Sequence, residues 1–212
     1  MIQLIEIFCS VQGESSYVGY PCIFIRLAEC NLRCNYCDTK YSYIADYSLS
    51  VEAIIEEVKR YHPIKLVEIT GGEPLLQKEV YSLITQLERE NFKVLLETNG
   101  SLPLDAVSKT VHKIVDVKCP DSGSKDSFCP SNLHTLNETD ELKFVISSYD
   151  DYLWSKSYVI ENNLLNSNVL FSAVFEKVEP KVLVDWIIQD RLNVRFQLQI
   201  HKYIWNPNKK GV

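Results

Sequence analysis

The chain has 212 residues, 46% of them hydrophobic and 24% charged, with a formal charge of −6 at pH 7. These proportions suit one folded core and exclude a disordered chain. The acidic balance argues against a nucleic-acid partner gripped through its phosphates, which calls for a basic surface. No run of about 18 apolar residues occurs, and the opening MIQLIEIFCSVQGE has no basic region followed by a cleavage site, so no membrane partner and a cytoplasmic location are expected.

In chain order, an N-terminal strand leads to Gln12-Gly13-Glu14, and a second strand is predicted over Cys22 to Leu27, ending beside the charged Arg26. Ser50 reads as the cap of a helix whose apolar stripe is Val51, Ile54, Ile55 and Val58; Val80, Leu83, Ile84 and Leu87 repeat the pattern. Further strands are predicted over Leu66 to Thr70, Lys93 to Glu97, Lys113 to Lys118, Glu141 to Ile146, Asn168 to Ser172 and Val194 to Ile200. A third helix runs from Asp151 into the 160s, and a fourth starts near Pro180, whose fixed φ suits a first helical turn. Cys119 to Asp140 is polar, carries Pro120, Gly123, Ser124 and Pro130, and reads as a long loop over the sheet.

Strands alternating with helices indicate a parallel α/β sheet. No repeat and no linker divide the chain, so residues 1–212 are expected to form one domain. A complete eight-unit barrel needs more chain than this; the expected fold is an α/β incomplete, open (β/α) barrel. Its candidate groups all fall at predicted C-terminal strand ends, where parallel sheets bind ligands.

Cys30, Cys34 and Cys37 form C-x3-C-x2-C in AECNLRCNYCDTKY. Three close thiolates can hold three corners of a 4Fe-4S cube and leave one iron open. A zinc knuckle is the alternative, but a closed zinc site wants four ligands and a second Cys pair is missing here. Seven cysteines, three of them crowded together, suit a reducing compartment better than a disulfide framework. Cys9 and Cys22 read as small buried hydrophobes. Cys119 and Cys129 are too few for a second cluster. His62, His112 and His134 stand alone and read as structural. Gly71-Gly72-Glu73-Pro74 follows one strand, where glycines admit a ligand close to the backbone; Thr98-Asn99-Gly100 follows the next, and Asp116 with Lys118 closes the one after.

The cysteine spacing together with the Gly-Gly-Glu-Pro loop resembles the radical S-adenosylmethionine superfamily. That resemblance implies a 4Fe-4S cluster on Cys30, Cys34 and Cys37 whose open iron chelates S-adenosylmethionine. It also implies cleavage to a 5′-deoxyadenosyl radical that abstracts hydrogen from substrate, with no side chain assigned as acid or base. Tyr36, Asp38, Gly71, Gly72, Glu73, Asn99, Lys118 and Ser172 are then expected around the cofactor.

Gln12-Gly13-Glu14, Arg26, Asp38-Thr39 and the ending QLQIHKYIW, with Gln199, His201, Lys202 and Trp205, resemble the 7-carboxy-7-deazaguanine synthase family from end to end. The implied activity is that of a carbon–nitrogen lyase. It contracts 6-carboxy-5,6,7,8-tetrahydropterin to 7-carboxy-7-deazaguanine with loss of ammonia, on the way to queuosine and other 7-deazapurines. Gln12, Gly13, Glu14, Arg26, Thr70, His201 and the terminal Val212 carry over as substrate contacts, and Thr39 as a ligand of Mg2+. The N-terminal segment becomes a substrate-binding extension and the tail a closure over the site. A flavodoxin or ferredoxin reductant and a homodimer are implied as well. A glycyl-radical-enzyme activase shares the cysteine and glycine motifs but lacks a use for Gln12-Gly13-Glu14 and HKYIW; a ferredoxin-like electron carrier would want four cysteines.

Overall fold

The computed structural model describes the whole chain, Met1–Val212. Strands β1 (Ile2–Val11) and β2 (Pro21–Leu27) form an antiparallel hairpin with Ser10 opposite Cys22. A short strand β3 (Tyr47–Leu49) adds to the outer side of β1, also antiparallel. The rest of the sheet is parallel: β4 (Leu66–Gly71), β5 (Lys93–Thr98), β6 (His112–Asp116), β7 (Glu141–Ile146), β8 (Asn168–Ala173) and β9 (Arg195–Gln197) follow β2 in sequence order. The nine-stranded sheet, ordered β3-β1-β2-β4-β5-β6-β7-β8-β9, does not close. It is the incomplete barrel expected from the alternation of elements.

Helices cover its outer face where the sequence has helical periodicity. In α1 (Val51–Lys59) the Ser50 hydroxyl accepts from the Ala53 N–H at 3.2 Å, satisfying a donor the helix leaves free. Ile54, Ile55 and Val58 of α1 and Val80, Leu83, Ile84 and Leu87 of α2 (Val80–Arg89) are buried in one 37-residue core cluster. Removing one such side chain, Leu83→Ala for instance, costs about 2–5 kcal/mol. Helices α3 (Tyr149–Glu161) and α4 (Pro180–Gln189) cover β7, β8 and β9. No helix links β5 to β6 or β6 to β7. Loops take their place, and the one ahead of β7 carries three 3-10 turns, two of them opening on Pro120 and Pro130. Buried Asn132 ties these loops: its Oδ1 accepts from the Leu104 N–H, and its Nδ2 donates to the Gly100 and Leu102 carbonyls, each at 3.0 Å.

Four expectations are corrected. The strand predicted over Val194 to Ile200 ends at Gln197, because the Ile200 N–H leaves the sheet edge to donate to the Gly13 carbonyl at 3.0 Å; helix α5 (His201–Ile204) follows. The strand predicted to reach Lys118 stops at Asp116. β3 was not expected; three residues carry too little alternation to be seen. Cys9 is half-buried, although Cys22 is buried as expected.

A further correction concerns direction. Since β1 runs against β2, Gln12-Gly13-Glu14 lies at the N-terminal end of the parallel strands, opposite the cysteine loop. From there the β1–β2 loop crosses to the far edge of the sheet. The Ser15 N–H donates to Gln197 Oε1 at 2.6 Å and Arg195 donates to Ser16 Oγ at 2.9 Å. A loop and side chains thus stitch the gap that a strand ladder leaves open.

Candidate active site

The chain leaves β2 into the cysteine loop, and the glycine loop after β4 is laid directly against it. The Gly72 N–H donates to the Leu27 carbonyl at 3.1 Å and the Glu73 N–H to the Glu29 carbonyl at 2.7 Å. This approach needs glycine. Gly71 has φ +140°, and a Cβ on Gly72 would sit 1.9 Å from the Glu29 oxygen and 3.0 Å from Cys30 Cβ. Asn99, following β5, brings its Nδ2 to 3.0 Å from Asn31 Oδ1 and 3.8 Å from Cys30 Sγ. Tyr36 is fixed by donating to the Val145 carbonyl at 3.0 Å.

Cys30, Cys34 and Cys37 all face one cavity of about 220 Å³ enclosed by the strands. The other expected site residues face it too, with two exceptions. Glu73 is fully buried and turned away: its carboxylate accepts from the Leu75 N–H at 3.0 Å, the Thr98 hydroxyl at 2.8 Å and the Asn99 N–H at 2.7 Å. It fixes the glycine loop to the β5 loop and does not reach into the cavity as expected. Ser172, also expected at the cofactor, is buried in β8 with its hydroxyl unpaired and outside the cavity wall.

Across the cavity from the cysteines is a charged interior. Lys143 of β7 lies 3.0 Å from Glu14 and 3.7 Å from Asp116, and contacts Glu97 of β5. Burial alone would lower this ammonium, but the three carboxylates around it raise it well above its ordinary range. Burial likewise would raise Glu97, and Lys143 overrides it, holding the carboxyl low. Glu14 also accepts from Gln197 at 3.1 Å and Gln199 at 2.8 Å, and Thr70 donates to Glu97 at 3.0 Å. Lys118 pairs with Asp116 at 3.0 Å. His201 packs its ring over Gly13, where a Cβ would meet Nδ1 at 2.1 Å, and burial pushes its imidazole down, toward the neutral form.

On the remaining wall, Arg26 Nε donates to Glu6 at 2.8 Å, and Tyr41 donates to the same oxygen at 3.2 Å. Thr39 donates to Asp38 at 2.9 Å, while Lys202 holds the other Asp38 oxygen at 2.6 Å. The tail folds back here: Lys210 lies 4.0 Å above the Tyr41 ring, and Val212 joins the cavity wall.

Lys143, Glu97 and Glu68 were not among the expected site residues, since no short motif contains them. Their signal is composition out of place. Strands buried on both faces read as near-continuous apolar runs, and LVEIT, VLLET and ELKFVI each carry a charge inside one.

Sequence comparison decides the family. Residues 25–117 match the Radical SAM superfamily. Over its full length the chain is 46% identical to 7-carboxy-7-deazaguanine synthase of Koribacter versatilis, covering all of that protein. It is 45% identical to that of Chlorobaculum tepidum, covering 97% of it. The chain belongs to the 7-carboxy-7-deazaguanine synthase family. The fold agrees: QueE from Escherichia coli superposes with a TM-score of 0.74 at 21% identity, over 92% of this chain and 93% of that one.

Membership of this family and superfamily implies a 4Fe-4S cluster, S-adenosylmethionine, a small-molecule substrate and a reductant. The residues present fit the cofactors. Three free thiols line one wall, with a glycine backbone against them that leaves no room for a side chain. Cys119 is no ligand candidate. It is packed in the core, 3.3 Å from Ser155, and burial pushes its thiol up to about 12.

Proposed function

We propose that this chain converts 6-carboxy-5,6,7,8-tetrahydropterin to 7-carboxy-7-deazaguanine, with loss of ammonia, for 7-deazapurine biosynthesis. The observation that carries the reading is the one cavity that joins three thiols on one wall to a buried constellation of carboxylates on the other. Full-length identity to curated synthases favours it over a glycyl-radical-enzyme activase.

The residues divide by wall. Cys30, Cys34 and Cys37 hold the cluster, while Gly71, Gly72, Tyr36, Asp38, Asn99 and Lys118 bound the place of S-adenosylmethionine. When bound, that pair supplies hydrogen-atom abstraction; the protein's work is to orient the substrate and exclude other donors. Glu14 and Glu97, both paired with Lys143, accept from ring N–H and amino groups of the pterin. Thr70 orients Glu97. Gln12 and Gly13 shape the floor under neutral His201, and Arg26 presents its guanidinium to a substrate carboxylate or carbonyl. The N-terminal hairpin serves as the substrate-binding extension of a single domain, and the tail through Val212 closes it.

Mg2+ belongs at Thr39. One hydroxyl is a poor site for a cation that keeps most of its waters, and both Asp38 oxygens are engaged, by Thr39 and Lys202. Substrate oxygens complete the shell. The working protein is a homodimer reduced by a flavodoxin or ferredoxin.

The test is anaerobic incubation of the reconstituted protein with S-adenosylmethionine, reductant, Mg2+ and the carboxytetrahydropterin, read by product mass. Formation of the deazaguanine acid is expected; cofactor cleavage with the pterin unchanged would reject the assignment. Thr39→Ala should reduce stimulation by Mg2+, and tight Mg2+ binding without substrate would move the metal elsewhere.

A further inference from the structure

Besides Asp38 on the cysteine wall, four carboxyl groups face the cavity from separate elements: Glu14 from the β1–β2 loop, Glu68 from β4, Glu97 from β5 and Asp116 from β6. Three have a cation. Lys143 serves Glu14, Glu97 and Asp116, and Lys118 serves Asp116 again. The other cations on the wall are engaged, Arg26 by Glu6 at 2.8 Å and Lys202 by Asp38 at 2.6 Å. Glu68 has none. Its side chain, on a residue 3% exposed, is hydrogen-bonded only by the neutral Gln12 amide.

Most of what packs around Glu68 disfavours a charge there. β2 places Phe24 beside it in register, with buried Cys22 and the Glu6-bound Arg26 on the same face; β5 places Leu95 beside it and Glu97 two residues on. The loop contributes Gln12 and Glu14, and His201 is pushed toward neutrality by burial. Lys143 is the cation that acts most strongly on Glu68, and three carboxylates already share it. Burial, then Glu97, push the Glu68 carboxyl well above its ordinary range, against the pull of Lys143 and Gln12.

The orientation of the acid follows from its neighbour. Gln12 Oε1 accepts from the Glu14 N–H at 3.1 Å, which directs Nε2 onto Glu68 Oε2. Oε2 is therefore the accepting oxygen, which leaves the other oxygen free to hold a proton.

We propose that Glu68 is a neutral carboxylic acid and serves, on the carboxylate wall, as a hydrogen-bond donor to a lone pair of the bound heterocycle. The proposal deepens the pterin reading and rests on it for the ligand. Glu14 and Glu97 can only accept. A pterin ring presents acceptors as well as N–H groups, and an acceptor lying against these two carboxylates is left unpaired unless a neighbour between them donates. A protonated acid supplies the donor without adding positive charge to an interior where each cation is already committed.

The test has two arms. In ligand-free holoenzyme, infrared difference spectra between wild type and Glu68→Gln should show a protonated-carboxyl C=O band that only wild type has. No such band overturns the proposal. In the second arm, equilibrium binding of 6-carboxytetrahydropterin is followed from neutral to alkaline pH. Wild type should lose affinity by up to about tenfold per pH unit once the acid ionises. Glu68→Gln, which cannot ionise, should show no such loss, and Glu68→Leu should bind at least about tenfold more weakly at neutral pH with iron content intact. The band should shift on adding the pterin. An unshifted band with pH-independent wild-type affinity overturns the donor role. A band in wild type that binds no pterin at any pH upholds the neutral acid and rejects the pterin reading instead.

Discussion

The two walls of the cavity are built in opposite ways. The cysteine wall comes from short continuous stretches, Leu27 to Thr39 and Gly71 to Pro74, held together by backbone hydrogen bonds such as Gly72 to Leu27 and Glu73 to Glu29. The carboxylate wall is collected from the whole chain: Lys143 bonds Glu14 across 129 positions and also holds Glu97. One wall depends on local backbone geometry, the other on long-range charge balance. Each should therefore fail in its own manner, the first by losing the cofactor and the second by losing substrate or stability.

The largest effect belongs to the cysteine wall. Replacing Cys30, Cys34 or Cys37 with Ala should abolish cleavage of S-adenosylmethionine, while Cys129→Ala, and Cys119→Ala in whatever fraction folds, should retain the full iron complement of one cube. Iron analysis after anaerobic reconstitution decides it; iron loss in either loop variant would mean that the three-thiol wall is incomplete.

Next comes the hub of the opposite wall. Lys143→Met leaves Glu14, Glu97 and Asp116 facing one another without their shared cation, and breaking a buried pair from one side costs about 3–5 kcal/mol. Urea denaturation should show that loss, with cofactor cleavage retained in the folded fraction. A variant as stable as wild type would show that the carboxylates do not depend on Lys143.

The same division governs how much could be read in the sequence. The cysteine spacing and the Gly-Gly-Glu-Pro loop are contiguous, so both were legible, as were the helices whose buried stripes recur at 3.6-residue spacing. Glu73 was legible as part of its motif but not in its orientation, because whether a carboxylate faces a cavity or caps a neighbouring loop is decided by Thr98 and Asn99, a strand away. Lys143, Glu97 and Glu68 show only as charges inside apolar strands. That signal is ambiguous, since Lys113 in β6 is an equally buried charge and merely pairs with Asp140 at 3.1 Å, outside the cavity wall. The reversed entry of Gln12 to Glu14 was not legible either, as the orientation of a first strand follows from its partner.

A smaller effect separates substrate from cofactor within one cavity. Glu14→Gln keeps the shape and the bonds from Gln197 and Gln199 in altered form but removes the charge facing Lys143. Turnover should fall by about 1–3 kcal/mol in activation free energy, the cost of a mismatched buried polar contact. Affinity for S-adenosylmethionine, measured by equilibrium dialysis, should stay near wild type; an equal loss of both would erase the distinction between the walls.

The smallest effect tests the carboxylate wall against itself. Glu97 is held low by Lys143, so the stability it contributes is present above the ordinary glutamate range and is lost as pH falls through its folded value. Glu68 is raised, so the sign reverses. Below the ordinary glutamate range both folded and unfolded chains carry its proton; above it the unfolded chain releases the proton while the folded chain keeps it, and stability declines as pH rises toward the folded value. One retained proton gives a slope of about 1.4 kcal/mol per pH unit. Two neighbouring carboxyls on adjacent strands therefore tilt the stability curve in separate windows, Glu97 on the acid side and Glu68 on the alkaline side. Urea denaturation of wild type and Glu68→Gln across mildly acidic to mildly alkaline pH should give curves that diverge upward in pH, with the variant keeping stability that wild type loses. Parallel curves would show that Glu68 ionises as readily in the folded protein as in the unfolded chain, and would leave the wall with four charged carboxylates in place of three and an acid.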